Sequence, residues 1–431
     1  MWQKLRELIL SPSRFKRDVL WNVGSLAVLA VSGLAANLLI MYWRGPDALG
    51  VFNEVFAIYI VVSQLAVGGA QISALKHCAH AQDDLPRCGA IASSALMLVG
   101  AASLAMALGL HASRGAIGAA LDSPAVARGV GFVCPGLVFF SLNKVLANVL
   151  IGLRNMRAYA VFQASRYVLI VAGVVVLLGL GLPAPHLALS LTLAEAVLFV
   201  LMAAYVQARL FPLKFSLSRE TRAWLRRHFS FGIRSLLSGV MSEMNTRVDV
   251  LLLGYFLSDA LVGVYSFASI FAEGFAQLTI VVRFNVEPII GKMFSQGEQA
   301  GIHALAQRIR AAFYPVMILL GTVAVLAFPV LICLQRSATR AWGSWGVFAI
   351  LVAGAVGGCG YRPFLGVLVQ GGRPGVYSLV MIGSVLVNAL LNVCLIPLWG
   401  IYGSALATGS VSILEACAIV ILAGKLFAVR L

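Results

Sequence analysis

Phe231–Ala268 reads FGIRSLLSGVMSEMNTRVDVLLLGYFLSDALVGVYSFA: one long apolar helix, a tight turn at Ser258-Asp259 and the start of a second helix. Arg234, Glu243, Arg247 and Asp249 lie inside the first helix, in a span otherwise suited to lipid. Charges within a bilayer are costly unless they face a bundle interior or a water-filled cavity, so they mark a functional site by default. An echo of the stretch, NVGSLAVLAVSGLAANLLIMYWRGPDALGVF, runs from Asn22 to Phe52, and its DALGVF matches DALVGVY with one residue inserted. The motif therefore opens each half of a duplicated chain.

The surrounding sequence is of one kind. Of the 431 residues, 61% are hydrophobic and 11% charged, and the mean hydropathy is +0.94. A soluble domain is about half apolar and about a quarter charged, so these values define a polytopic membrane protein. Apolar runs of roughly twenty residues, each enough for a transmembrane helix, recur along the chain. Twelve such spans are expected, with cores beginning at Val19, Leu49, Cys88, Pro124, Ala158, His186, Phe229, Val262, Ala311, Trp342, Pro374 and Tyr402. Their continuity excludes a lipid-exposed barrel, whose strands alternate over about ten residues.

The loops on the side of both termini hold nearly all the loop cations, from Lys4 and Arg6 through Arg154, Arg219, Arg226 and Arg373 to Arg430. The opposite side offers only Arg44, Arg114, Arg128, Arg336 and Arg340. Basic loops stay in the cytoplasm, which places both termini there. The same rule accounts for the net charge of +16 without a nucleic-acid partner. No small-residue cleavage site follows a brief apolar core near the N-terminus, so the first span is expected to remain uncleaved. The seven cysteines form no CxxC pair and are expected to be reduced packing residues, with neither metal nor disulfide. No catalytic arrangement and no phosphate-cradling glycine loop appears, so neither an enzyme nor a cofactor is expected.

The fold class is therefore an all-α polytopic membrane protein: twelve helices in two parallel-repeat six-helix bundles around a central cavity. Residues 1-210 form the N-terminal bundle, 211-228 a basic linker and 229-431 the C-terminal bundle. The linker is expected to lie on the cytoplasmic face against anionic lipid heads. An even number of spans per half gives both halves the same orientation. LNKVLANVLIGLRNMRAY aligns with YRPFLGVLVQGGRPGVY, setting Val149-Leu150 on Val367-Leu368 and Lys144 on Arg362. LTLAEA aligns with VSILEA and sets Glu195 on Glu415.

Lys144 and Arg362 each precede the cytoplasmic end of a span by some ten residues, about 15 Å at 1.5 Å per residue, which is near the midplane. Arg166 reaches a similar depth; Arg234 is shallower and Arg247 lies beyond the middle. Such an array suits a strongly anionic group that must cross, a phosphate or diphosphate. The alternative is structural pairing with the acids Glu195, Glu243, Asp249, Glu273 and Glu415. Glu243 and Arg247 stand four apart on one helix face, in the favourable order. Asn143, Asn148, Gln163, Asn245, Gln277, Asn388 and Asn392 either line a cavity or bond between helices.

Three stretches carry a family resemblance. WRGPDALGVFNEVFAIYIVVSQLAVGGAQISALKHCA, TRVDVLLLGYFLSDALVGVYSFA and VNALLNVCLIPLWGIYGSALAT occur in this order across both halves. They resemble the polysaccharide biosynthesis proteins, the Wzx-type flippases of the multidrug/oligosaccharidyl-lipid/polysaccharide exporter superfamily. The resemblance implies alternating-access transfer of a polyprenyl-diphosphate-linked oligosaccharide from the cytoplasmic to the periplasmic leaflet of a bacterial inner membrane. It implies a cation-lined cavity, matching Lys144, Arg166, Arg234, Arg247 and Arg362. Surface polysaccharide (O-antigen, capsule or exopolysaccharide) is the expected end product, with a polymerase and chain-length proteins as partners. Asp249, Glu273, Glu195 and Glu415 are the candidates for binding a coupling proton or sodium. Two other readings stay open: an ion-coupled antiporter of small organic cations, and a non-transporting membrane component of glycan assembly.

Overall fold

The computed structural model describes residues 14–429 and Leu431, and these are helical with short connections. Lys4, Arg6 and Arg430, counted above among the cytoplasmic cations, lie outside the described residues, as does the lead into the first span up to Ser13. The helices are α1 (Arg14–Arg44), α2 (Pro46–Val67), α3 (Ala70–His80), α4 (Leu85–Ala120), α5 (Pro124–Gly152), α6 (Met156–Gly179), α7 (Leu189–Arg209) and α8 (Arg219–Phe256). They continue as α9 (Asp259–Gln296), α10 (Gln299–Cys333), α11 (Ala338–Ala341), α12 (Gly343–Gly358), α13 (Gly366–Gln370), α14 (Pro374–Trp399) and α15 (Ile401–Phe427). Short helices α3, α11 and α13 continue or flank longer ones. Among the described residues, eleven helices are long and apolar enough to cross a membrane. The seventh expected span, from Phe229, falls within α8, a 38-residue helix that carries the charges of the opening stretch and is not one of those eleven.

Local chemistry sets the helix starts. Asp84, Ser123 and Asn155 cap α4, α5 and α6, each accepting a backbone N–H three residues on, and proline follows the first two caps. A capping oxygen satisfies an N–H that no helical carbonyl can reach, and proline has none to satisfy. The central turn falls at Leu257-Ser258, with Asp259 already inside α9. Within the basic linker, residues 211–218 are not helical. Arg219–Arg227 form the first turns of α8, where Trp224 and His228 are buried.

Two compact units emerge: Met1–Ile40 with Val55–Glu243, and Met41–Glu54 with Met244–Leu431. In the first, Val145, Leu146, Val149 and Leu150 of α5 pack with Cys88, Ile91 and Ala92 of α4, Leu198 and Met202 of α7, and Trp224. In the second, Ile290 of α9 packs with Ile302 and Ala306 of α10, Phe364–Leu368 and Ile419 of α15. There α12 and α15 touch at Gly354 and Gly409, and a Cβ added to Gly354 would strike the Gly409 backbone.

The duplication is visible at atomic scale. After α5, Leu153 N donates to Val149 O and Asn155 N to Leu150 O, at 3.0 and 2.9 Å. After α13, Gly371 N donates to Val367 O and Arg373 N to Leu368 O, both at 2.8 Å. Arg154 and Gly372 hold the same left-handed position in these turns, at φ 54° and 78°. This is one helix-ending turn, used twice.

The spans leading into the two turns differ. α5 is continuous, whereas the tenth span breaks after Gly358 and passes through a single 3₁₀ turn, Arg362–Leu365, before α13. Gly357, Gly358 and Gly360 weaken the helix there, and Pro363 removes a backbone donor. The second span also breaks, at Gly68-Gly69, with φ values of 55° and 76°.

Candidate functional site

The first unit gathers Lys144, Arg166 and Glu195. Glu195 is buried on α7, and its Oε1 lies 2.8 Å from Nε of Arg166 on α6. Asn143 on α5 donates its amide to Oε2 of Glu195 at 2.7 Å and to the Glu195 carbonyl at 2.9 Å. The acid is thereby taken up from two sides without Lys144. The Lys144 ammonium donates instead to Ser63 Oγ at 3.0 Å and Gln64 Oε1 at 2.9 Å, both on α2. Lys144 and Arg166 both lie over the Phe140 ring, at 4.6 and 4.9 Å from its centroid. Gln64 is seated where Gly239 of α8 presents no side chain. Lys144 is thus a half-buried cation hydrogen-bonded to neutral groups and set over an aromatic ring; among the described residues no carboxylate is in ion-pair contact with it, while the charges of Glu243 and Glu195 bear on it from further off.

The second unit gathers Arg362, Glu415, Asp249 and Glu273. Arg362 Nε lies 3.0 Å from Glu415 Oε2, the acid being buried on α15. All four line a cavity of about 180 Å³ together with Asn245, Tyr265, Asn388 and Thr408. Asp249 accepts hydrogen bonds from Thr408 Oγ1 (2.6 Å), Tyr265 Oη (2.9 Å), Asn388 Nδ2 (3.0 Å) and Asn392 Nδ2 (3.3 Å). Asn388 and Asn392 stand four apart on α14 and so share a face. The cavity falls below the roughly 300–1,000 Å³ of drug-sized ligand pockets. It suits a small ion with a few waters.

The remaining two expected cations are Arg234 and Arg247. Arg234 is exposed on α8 in the first unit and donates to Ser230 Oγ at 3.3 Å. Arg247 is half-buried on α8 in the second unit, where its charge bears on Glu273. The residues holding Lys144 (Ser63, Gln64 and Phe140) escaped the sequence reading. Ser63-Gln64 was a visible signal, a polar pair inside the apolar run IYIVVSQLAV. Thr408 and Tyr265 carried no signal beyond their hydroxyls.

This arrangement, in a multi-pass helical membrane protein, belongs to a known fold. The chain superposes on an inward-facing multidrug resistance MATE family transporter of the MOP superfamily with a TM-score of 0.73 and 13% identity, covering 90% of this chain and 92% of that one. It superposes on the lipid II flippase MurJ, in an inward closed conformation, with a TM-score of 0.72 and 14% identity, covering 94% and 87%. A MOP superfamily transporter from Pyrococcus furiosus matches with a TM-score of 0.53 and 15% identity, covering 94% and 93%. At these identities the likeness establishes the fold, that of MOP-superfamily transporters. No curated protein matches in sequence. The model of one family, described as polysaccharide biosynthesis protein, matches residues 45–335. The chain belongs to the polysaccharide biosynthesis protein family.

Proposed function

We propose that the protein is a flippase. It moves a polyprenyl-diphosphate-linked oligosaccharide from the cytoplasmic to the periplasmic leaflet of a bacterial inner membrane, for surface polysaccharide synthesis, with both termini cytoplasmic. One observation carries this reading: Lys144, a half-buried cation near mid-span whose partners are neutral. A charge whose hydrogen-bond partners are a hydroxyl and an amide can leave them for a phosphate without breaking a direct ion pair. Ammonium and guanidinium groups suit phosphate as point charge and fork, respectively. Lys144 is therefore the primary phosphate contact, with Arg166 beside it across Phe140. Arg362, Arg234 and Arg247 supply positive charge elsewhere along the path, while the polyprenyl tail stays in lipid. Membership of a polysaccharide biosynthesis family and the MurJ-like fold support the substrate class.

The test is genetic. K144Q and R362Q should each abolish surface glycan while membrane protein levels stay intact, and K144R should restore part of it. Normal glycan in K144Q would remove Lys144 from the mechanism.

The acid-lined cavity in the second unit favours ion coupling at Asp249. Four donors converge on its carboxylate, and no cation pairs with it among the described residues. Turning the amides of Asn388 and Asn392 would present their oxygens beside those of Asp249 and Thr408, a donor set for a hard cation such as sodium. Sodium should raise the melting temperature of the wild type and leave D249N unchanged. Uptake of a fluorescent organic cation into vesicles, lost in D249N, would favour the antiporter reading instead.

A further inference from the structure

Glu54 takes no part in either site. It lies eight residues into α2, is 0% exposed, and neither carboxyl oxygen has a hydrogen-bond partner. Its position is built to be tight. Pro46, Gly50 and Glu54 are spaced four apart and so share one face of α2. That face rests on the start of α9 and the end of α8. A Cβ added to Gly50 would collide with the Asp259 carbonyl, and one added to Gly263 with the Pro46 carbonyl. The two helices therefore meet backbone to backbone. One turn further along, Glu54 lies against Gly254 of α8, where an added Cβ would come within 2.7 Å of its Oε2.

The charges around this seat do not favour a second negative one. Asp259 of α9 acts on Glu54 with like sign. On α8, the nearest ionisable groups in sequence are Asp249, already bonded as described, and Tyr255. On α2, Asp47 pairs with Arg340 beside α11, both half-exposed. Arg336 covers the rings of Tyr42 and Trp43. An ionised carboxylate buried without a donor is strongly unfavourable. The Asp47–Arg340 pair is exposed to solvent, where an ion pair adds little. It cannot hold the seat closed over a charged Glu54.

We propose that Glu54 is a proton-binding site, and that its protonation lets α2 seat against α8 and α9 at the membrane face opposite the amino terminus. With the proton bound, the neutral acid fits the apolar seat. When the proton is lost, the carboxylate needs water and the seat opens. The proton enters from that same face, since Asp47, Arg336 and Arg340 mark where the seat meets water. This inference is independent of which substrate the protein carries.

Distance measurement by pulsed electron paramagnetic resonance tests it. The full chain, with its cysteines replaced by serine, would carry spin labels at Trp43 and Leu261, both exposed, in lipid nanodiscs. The wild type should show one short distance at mildly acidic pH and a growing longer one at mildly alkaline pH. E54Q, permanently neutral, should hold the short distance throughout. An E54Q protein that follows the wild-type course, or a wild type whose distance ignores pH, overturns the proposal. Should E54Q fail to assemble, infrared difference spectra of the wild type decide. A protonated carboxyl band must vanish at the same midpoint as the distance change, and separate midpoints overturn the assignment.

Discussion

In the first unit, the buried carboxylate of Glu195 is met by Arg166 from the fifth span. In the second unit, the matching carboxylate of Glu415 is met by Arg362 from the tenth. The alignment that sets Lys144 on Arg362 sets Arg166 on Ser384, which donates only to its own helix, at Val380 O. Each half thus keeps one acid neutralised but draws the cation from a different helix. Where a second cation is present, the first is released from pairing, and that is the position of Lys144. Where the aligned position holds Ser384 instead, Arg362 is committed to Glu415 and the neighbouring Asp249 is hydrogen-bonded by neutral donors.

Three measurements would break or sharpen this contrast. The largest effect on stability is expected from R166M. It leaves a buried carboxylate with only Asn143, and breaking a buried pair from one side costs about 3–5 kcal/mol. The double variant R166M/E195Q should recover most of the loss, seen as melting temperature in detergent. Failure to recover would mean that Arg166 packs rather than pairs. R362M should cost less, about 1–3 kcal/mol, because the Arg362 side chain is 29% exposed and water can replace it. Equal losses in the two units would erase the distinction between them.

The smallest effect is a pH dependence confined to the first unit. His228, in the basic linker, is buried among Ser73, Ser94 and the Ile91 carbonyl. Burial pushes its imidazole down from 6.5 to about 4. The unfolded chain therefore takes up a proton first as pH falls. The contribution to stability is complete above about 6.5 and is lost progressively towards 4, as linkage requires. Hydrogen exchange should show this loss in helices α3 and α4 and the start of α8, and not in α12 to α15. H228Q should remove it.

The sequence made the span pattern legible because bilayer thickness imposes a length on every apolar run. It also exposed the duplication, since Glu195 and Glu415 lie in matching motifs. It did not reveal which cation meets which acid. Depth along a helix follows from counting residues, whereas direction around it depends on neighbours that counting does not supply. Arg166 and Lys144 share a depth, and only packing decides that the arginine reaches Glu195. The break at Gly358–Tyr361 was written in three glycines and Pro363, but a continuous apolar composition masked it. Glu54 lies inside the second expected span, whose core begins at Leu49, but its burial against Gly254 of α8 depends on packing between distant segments.

Arg154 occupies a left-handed backbone position that its counterpart Gly372 adopts without penalty. For a residue with a Cβ, that conformation costs roughly 1 kcal/mol. Replacing Arg154 with glycine would relieve the strain at a point remote from the charged clusters. It offers a single-site route to a hardier preparation for crystallisation or cryo-microscopy, with transport chemistry left as it is.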